Sequence, residues 1–119
     1  METATNKNTT LKGGEFVIRE TSWEEVYIPE QITEEQQMVR NAAKDFIHNE
    51  IDPFLDRLDA QEEGLLVKKL DAAGELGLLG LAIPEQYGGS GLDFTSGSFV
   101  GEVFGGAHGF SVSMGAQTG

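Results

Sequence analysis

The stretch Thr33–Ile47, with the sequence TEEQQMVRNAAKDFI, decides the fold. Thr33 and Gln36 form a capping-box pattern, in which each side chain accepts a hydrogen bond from the other residue's backbone N–H. The acidic residues between them suit the positive end of a helix dipole. Apolar residues then recur at steps of three and four, at Met38, Val39, Ala42, Ala43, Phe46 and Ile47. The stretch therefore predicts an amphipathic helix over residues 33–50.

Pro53 limits this first helix, because proline lacks the backbone donor that the next turn needs. We expect a bend or a stop near Asp52, followed by a short helical stretch. A second helix is predicted over residues 63–76, with Leu66, Leu70, Ala73 and Leu76 or Gly77 on one face and Lys68 and Lys69 mostly elsewhere. Gly77 is suited to a left-handed C-cap. Residues 78–83 then form a buried connector that ends at Pro84.

A third helix is predicted over residues 95–108, capped by Asp93 or Thr95. Its apolar side consists of Phe99, Val100, Val103 and Phe104, and glycine recurs at Gly97, Gly101, Gly105 and Gly109. Each interior glycine costs up to ~1 kcal/mol relative to alanine. Such a helix must recover that stability by close packing against another backbone or a ligand. Ser111 could begin a fourth helix, but the remaining residues are too few for a helix that forms alone.

These elements predict an all-α fold with no large sheet. Residues 1–29 are expected to be a disordered tail followed by an extended arm, and residues 30–119 to be a helical domain. The arm, Lys12–Pro29, carries Phe16, Ile18 and Trp23, which we expect to anchor it on the helical domain or on a second copy.

Composition excludes several classes of function. The chain of 119 residues has no cysteine, so it has no disulfide, thiolate metal site or cysteine nucleophile. Its net charge of −12 would repel nucleic acid phosphates. No apolar run approaches the ~20 residues of a membrane span. Met1–Thr10 lacks the arginines of a mitochondrial transit peptide, so a cytoplasmic location is expected.

Several motifs allow both a structural and a functional interpretation, and the structural one is favoured in each case. Gly88-Gly89-Ser90-Gly91 is a tight turn rather than a phosphate loop, since it lacks the lysine of a P-loop. After Lys69 no Lys or Arg occurs, so a phosphate site there would depend on backbone N–H groups alone. His48 and His108 have no partners at metal-ligand spacing, which favours surface or capping roles. No catalytic residue or metal ligand is assigned.

Three stretches resemble the acyl-CoA dehydrogenase family. Thr33 through Phe46 and Pro53 resembles the first helix of that family, and LDAAGELGLLG at residues 70–80 resembles its second helix and exit. The segment PEQYGGSG at residues 84–91 is similar to the family's Pro-Glu-x-Tyr-Gly-Gly-x-Gly loop. The arm and the final GAQTG at residues 115–119 resemble the long- and very-long-chain branch, where His is more usual than Gln117.

The resemblance implies that the chain is the N-terminal helical domain of a flavoenzyme. Such enzymes use FAD to dehydrogenate fatty acyl-CoA in β-oxidation, pass the electrons to an electron-transferring flavoprotein, and are expected to form homo-oligomers. The resemblance places the flavin motif and the base in later domains, and places Gly115, Ala116, Thr118 and Gly119 in the wall of the acyl-chain pocket. A different reading of the same residues is a non-catalytic helical interaction or oligomerisation module.

The sequence also predicts that this chain alone does not retain FAD and has no dehydrogenase activity. No Lys or Arg after Lys69 is present to pair with phosphates, and no catalytic carboxylate is assigned. The purified 119-residue chain should therefore be colourless. A flavin absorbance band at one equivalent per chain would contradict this expectation.

Overall fold

A computed structural model of the chain describes residues 11–26 and 28–118; the predicted tail over residues 1–10 and the site residue Gly119 lie outside these ranges. Within them the structure is helical throughout and contains no strand, as predicted. The α-helices are α1 (Glu34–Phe46), α2 (Leu55–Asp59), α3 (Leu65–Glu75), α4 (Phe94–Phe104) and α5 (Gly109–Thr118). The described residues fall into two compact units, one ending at Thr33 and one beginning at Glu34.

The first predicted helix is shorter than expected and ends in a series of irregular turns. After α1, Ile47–Ile51 forms a π-helical turn and Asp52–Phe54 a 3₁₀ turn that leads into α2. Pro53 cannot donate to the preceding turn, so the helical hydrogen-bond register has to change there. The expected bend near Asp52 and the short helix after it are both confirmed.

Three phenylalanines hold the core together. Phe46 of α1, Phe104 of α4 and Phe110 of α5 lie with ring centroids 5.9 to 6.2 Å apart and with tilted planes. Each of the three residues is at most 4% exposed. Tilted aromatic pairs at this spacing are favourable beyond the area they bury. The three helices therefore meet at a single aromatic cluster.

The buried face of α3 differs from the predicted one. Leu65, Lys69 and Ala73 are buried, whereas Leu66 is 38% and Leu76 63% exposed. Lys69 can be buried because its Nζ lies 2.9 Å from Glu50 Oε2 and 3.7 Å from the centre of the Phe54 ring. A buried ammonium is tolerated when it has both an opposite charge and an aromatic face. The spacing of apolar residues in the sequence could not predict that Glu50 and the Phe54 ring would contact Lys69.

The fourth helix that Ser111 could begin does form, as α5 over Gly109–Thr118, and it starts two residues earlier. Phe110 and Met114, one helical turn apart, are 2% and 4% exposed. A short helix that is marginal in isolation is stabilised when one face is buried in a core. The predicted third helix, α4, ends at Phe104, four residues earlier than expected.

Asp93 is the residue that begins α4. Its carboxylate accepts hydrogen bonds from the Ser96 backbone N–H at 3.0 Å and from the Ser96 hydroxyl at 2.6 Å. The Ser96 hydroxyl and then the Ser96 backbone N–H hold the pKa of Asp93 below its ordinary value, with a smaller contribution from the Gln36 side chain. Of the two predicted caps, Asp93 rather than Thr95 is therefore used.

The arm contains short 3₁₀ turns where an extended chain was expected. These turns cover Gly13–Val17, Trp23–Glu25 and Pro29–Gln31. The predicted anchors Phe16, Ile18 and Trp23 are 61%, 87% and 81% exposed.

Phe110→Ala should unfold α5 selectively, since it removes one of the three rings of the cluster. A buried phenylalanine replaced by alanine costs about 3–5 kcal/mol. Thermal and urea unfolding measure the loss, and amide hydrogen exchange locates it in residues 109–118. Val112→Ala on the exposed face of α5, where Val112 is 73% exposed, is the matched control. Equal effects of the two substitutions would contradict the assignment of the core.

Asp93→Ala should destabilise the chain by about 1 kcal/mol near neutral pH, since it removes the N-cap of α4. The pKa of Asp93 is lowered on folding, so its stabilising effect is complete above the ordinary value of 3.8 and is lost as the pH falls through the lower folded value. Asp93→Asn keeps a capping side chain but does not titrate. The difference in stability between wild type and Asp93→Asn should therefore shrink below about pH 4, and a constant difference in acid would contradict the cap.

Candidate functional site: an apolar groove between α4 and α5

A groove of about 540 Å³ lies between α4, α5 and the connector after α3 in the helical unit. Its floor consists of the buried residues Leu78, Val100, Phe104 and Met114. Its sides come from three segments of the chain, namely Leu79, Leu81, Ala82 and Ile83 of the connector, Asp93, Phe94, Gly97, Ser98 and Gly101 of α4 and its cap, and Ser111, Gly115 and Thr118 of α5. Asp93 is the only ionisable side chain among these lining residues.

The connector is held in place by backbone geometry at the end of α3. Gly77 adopts a φ of +77°, as expected of a left-handed C-cap. The Leu78 N–H donates to Ala73 O at 3.0 Å, which turns Leu78 into the core. Burial then falls along the connector, and Ile83 is 44% exposed on the groove side. The connector is thus buried at its start and exposed at its end, rather than buried throughout.

The glycine-rich loop after Pro84 is a closed turn. The N–H groups of Gly88, Gly89, Ser90 and Gly91 donate to the carbonyls of Glu85, Pro84, Gly80 and Ile83, respectively. A Cβ at Gly89 would lie 2.0 Å from Ile83 O, so no other residue fits there without a shift of the backbone. Because these donors are already used, the loop has none to offer a phosphate. The tight-turn interpretation of the motif is therefore supported.

Three glycines give the groove its width. Gly97 and Gly101 lie one turn apart on α4, and Gly115 lies on α5. A Cβ built at any of the three meets no heavy atom within 4 Å. The glycines that line the groove thus border open space and do not pack against a neighbouring backbone.

The hydroxyl groups that line the groove are turned towards their own helices. Ser98 donates to Phe94 O at 2.9 Å, Ser111 to His108 O at 2.7 Å and Thr118 to Met114 O at 3.0 Å. A hydroxyl satisfied in this way has no proton left for an occupant. The groove therefore presents a mainly apolar surface, which suits a hydrocarbon better than a polar molecule.

The predicted site residues are only partly brought together. Gly115 and Thr118 line the groove, Ala116 is exposed and lies outside it, and Gly119 falls beyond the described residues. Gly97, Gly101 and Phe94 line the groove but were not predicted as site residues. The recurrence of glycine at every fourth residue could have indicated Gly97 and Gly101. The position of Phe94, in contrast, depends on where the Asp93 cap starts α4.

Both histidines lie outside the groove. His108 has a positive φ of 49° in the turn before α5, and its Nδ1 lies 3.0 Å from Asp59 Oδ2. His48 follows α1, with its Nδ1 3.7 Å from Asp52 Oδ2. These contacts fit the predicted surface and capping roles. With Asp93 engaged as a cap, the groove can bind an apolar group but offers no evident base or nucleophile.

Within the part of the chain that the structure describes, no helix is long and apolar enough to cross a membrane.

Comparisons with known proteins agree on one family. The family model for the N-terminal domain of acyl-CoA dehydrogenase matches residues 33–119. A probable acyl-CoA dehydrogenase of Bacillus subtilis (strain 168) is 40% identical over 108 residues, which cover 91% of this chain and 18% of that protein. Probable acyl-CoA dehydrogenase YngJ of the same organism is 42% identical over 94 residues, which cover 73% of this chain and 24% of that protein.

A solved structure supports the same assignment. The crystal structure of an acyl-CoA dehydrogenase complexed with FAD from Bacillus anthracis is similar with a TM-score of 0.85 and 42% identity, covering 91% of this chain and 19% of that one. More distant relatives are named as short-chain and glutaryl-CoA dehydrogenases, so the matches are not confined to the long- and very-long-chain branch. The chain spans about a fifth of the length of the first relatives it matches. It belongs to the acyl-CoA dehydrogenase family and corresponds to that family's N-terminal domain.

Proposed function

We propose that this chain is part of an FAD-dependent acyl-CoA dehydrogenase of fatty acid β-oxidation, and that the groove between α4 and α5 holds the acyl chain of the substrate. In this proposal the enzyme works in the cytoplasm as a homo-oligomer and passes electrons to an electron-transferring flavoprotein. The relatives' names and the FAD in the related crystal structure support the reaction. The role of the groove is supported by its shape and its chemistry.

The open space beside Gly97, Gly101 and Gly115 is the observation that carries this proposal. A glycine inside a helix is destabilising relative to alanine, so it needs a compensating reason. Close packing against a backbone would be one reason, but no atom lies near enough to these three positions to benefit from it. An occupant of the groove would supply such a reason, since side chains on both walls would narrow the space it needs.

The groove fits the hydrocarbon part of an acyl-CoA rather than its nucleotide. It offers apolar contacts along its length and no cation for a phosphate, since no Lys or Arg follows Lys69. Each methylene transferred from water into such a surface contributes about 0.8 kcal/mol. The thioester and the coenzyme A phosphates would then be bound by parts of the enzyme outside this chain.

FAD is not expected to be held by this chain alone. Its diphosphate requires cationic side chains or free backbone N–H groups. The loop at Gly88–Gly91 uses its N–H groups internally, and the groove has no basic side chain. The residues present do not fit the cofactor, so we assign this chain no step in the flavin chemistry.

Small residues on α5 favour a long acyl chain. Gly115 lines the groove, and a large side chain there would fill space that further methylenes need in a dense interior. We therefore propose a preference for long or very long chains. Ala116 and Gly119 are retained in the proposed pocket on family resemblance alone.

A helical interaction module is the second candidate function. Glycines one turn apart on α4, with open space beside them, could also admit the backbone of a partner helix. The coding sequence after Gly119 distinguishes the two: a continuing frame with a flavin motif supports the enzyme, and a stop codon supports the module.

Gly115→Leu in the full-length enzyme should lower kcat/KM for a long acyl-CoA far more than for butyryl-CoA. If the leucine displaces three methylenes, the loss of about 2.4 kcal/mol corresponds to roughly 60-fold. Gly109→Leu is the matched control, because Gly109 begins the same helix with nothing near its Cβ position but does not line the groove. Steady-state kinetics with acyl-CoA of increasing length measures the effect.

Equal losses on long and short substrates would show that position 115 governs folding rather than chain length. A melting temperature for each variant separates the two cases. A loss of the same size in Gly109→Leu would argue against the groove as the acyl site.

A further inference from the structure

The unit that ends at Thr33 exposes most of the apolar side chains that the structure describes in it. Within Phe16–Ile28 the structure exposes Phe16, Val17, Ile18, Trp23, Val26 and Ile28 by 41 to 87%. Monomeric proteins expose single apolar residues as a matter of course, but contiguous clusters mark interaction surfaces. Large aromatic residues are also the commonest anchors of such surfaces. We refer to Phe16, Ile18 and Trp23 as the arm anchors.

The polar groups of the same unit are used internally. The Leu11 N–H donates to Glu25 O at 3.0 Å, and the Ser22 N–H donates to Glu25 Oε2 at 2.8 Å. Arg19 pairs with Glu25 and lies 3.9 Å from Glu15. The Ser22 backbone N–H, assisted by Arg19, holds the pKa of Glu25 below its ordinary value. Glu25 thus closes the segment from Leu11 into a loop, which reduces the conformational entropy that docking would cost.

Charge narrows the choice of partner. Glu20 lies between Ile18 and Trp23 in the sequence, and Glu24 follows Trp23. Both are exposed and have no partner in residues 11–26 and 28–118. A second copy of the chain would be a poor partner, since its net charge is also −12. Four of its bases, Arg19, Arg40, Arg57 and Lys69, are already paired with acids. The arm instead suits an apolar surface edged by Lys or Arg.

The comparisons indicate where that surface lies. The family model begins at residue 33, but the 108-residue match to the B. subtilis relative is too long to fit within residues 33–119 and must include much of the arm. The arm therefore occurs in chains of which residues 1–119 would form about a fifth. The rest of such a chain is a surface to which the arm is covalently tied, at high effective concentration.

We propose that the arm anchors dock on an apolar surface, edged by Lys or Arg, in the part of the acyl-CoA dehydrogenase that lies outside this chain. This inference rests on the proposed function in one respect, namely that the full-length enzyme exists. Docking would fasten the N-terminal domain to the remainder of the enzyme by a contact separate from the groove.

Trp23 provides a direct test, because it is the only tryptophan of the 119-residue chain. In this chain its fluorescence should be quenched readily by acrylamide. In the full-length enzyme, the Trp23 signal is obtained by subtracting the spectrum of Trp23→Phe. That signal should be shifted to shorter wavelength and quenched several-fold less efficiently. Equal quenching in the chain and in the enzyme would overturn the proposal.

Two matched pairs of variants identify the contact. Trp23→Ala in the full-length enzyme should speed proteolytic cleavage of the arm on the order of 30-fold, as expected for loss of an interface anchor. Val67→Ala, at a 61% exposed site on α3, should not. Glu24→Lys should also release the arm, whereas the same change at Glu63, outside the arm, should leave it docked. Release by neither Trp23→Ala nor Glu24→Lys would contradict the assignment.

Two other partners of the arm can be distinguished by experiment. The 119-residue chain can be tested for self-association by sedimentation. Self-association that Trp23→Ala abolishes would replace the proposal by an interface between copies. Binding of the chain to anionic lipid vesicles through Trp23 would replace it by a membrane contact, which Glu20 and Glu24 disfavour.

Failure of this inference can be distinguished from failure of the proposed function. A full-length protein that carries FAD and oxidises acyl-CoA, but whose Trp23 remains fully quenchable, would contradict this inference while leaving the proposed function intact. A full-length protein without flavin or activity would count against the proposed function, whether or not the arm is docked.

Discussion

The contact among Phe46, Phe104 and Phe110 is the interaction on which the rest of the helical unit depends. It joins α1, α4 and α5 at a single point, and each ring replaces hydration by contact with the other two. Without it, α4 would keep its cap at Asp93 but lose the partner that fixes its axis. α5 would be a ten-residue segment with mostly small and polar side chains and little reason to be helical. The groove lies between these two helices, so its width is also set from this cluster.

The cluster explains how a site can form with so little polar material. Hydroxyls along the groove donate to their own helix backbones, and the one lining carboxylate caps α4. The polar groups are thus used to build the walls, and the space between the walls is left apolar. The buried ammonium of Lys69 is likewise satisfied within the chain, because Glu50 and the Phe54 ring hold it jointly. A chain with a net charge of −12 can in this way contain a surface suited to an uncharged hydrocarbon.

Local signals in the sequence were sufficient to predict α1 to α4, their order and several of their ends. Asp93, Gly77 and Pro53 act through their own backbone or side chain within a few residues, so their effects can be inferred without knowledge of the fold. Lys69 and Phe110 could not be placed in this way, because their burial depends on Glu50, Phe54 and Phe46, which are distant in sequence. The groove could be inferred from the sequence only in part. The glycine stripe indicated that something must approach α4, but only the facing helix revealed that Gly97, Gly101 and Gly115 border one space.

At Gly97, Gly101 and Gly115, the stability of the helices and the open volume of the groove favour different residues. In each of the three positions an alanine methyl would meet nothing within 4 Å, and it would favour the helix by up to about 1 kcal/mol. A library of this chain selected for heat resistance alone would therefore accumulate alanine at these positions early. Its most robust members would be those whose groove had been filled from both walls, a case of the trade between robustness and activity that protein engineering repeatedly meets. The openness of the groove is maintained against the helical preferences of its own walls.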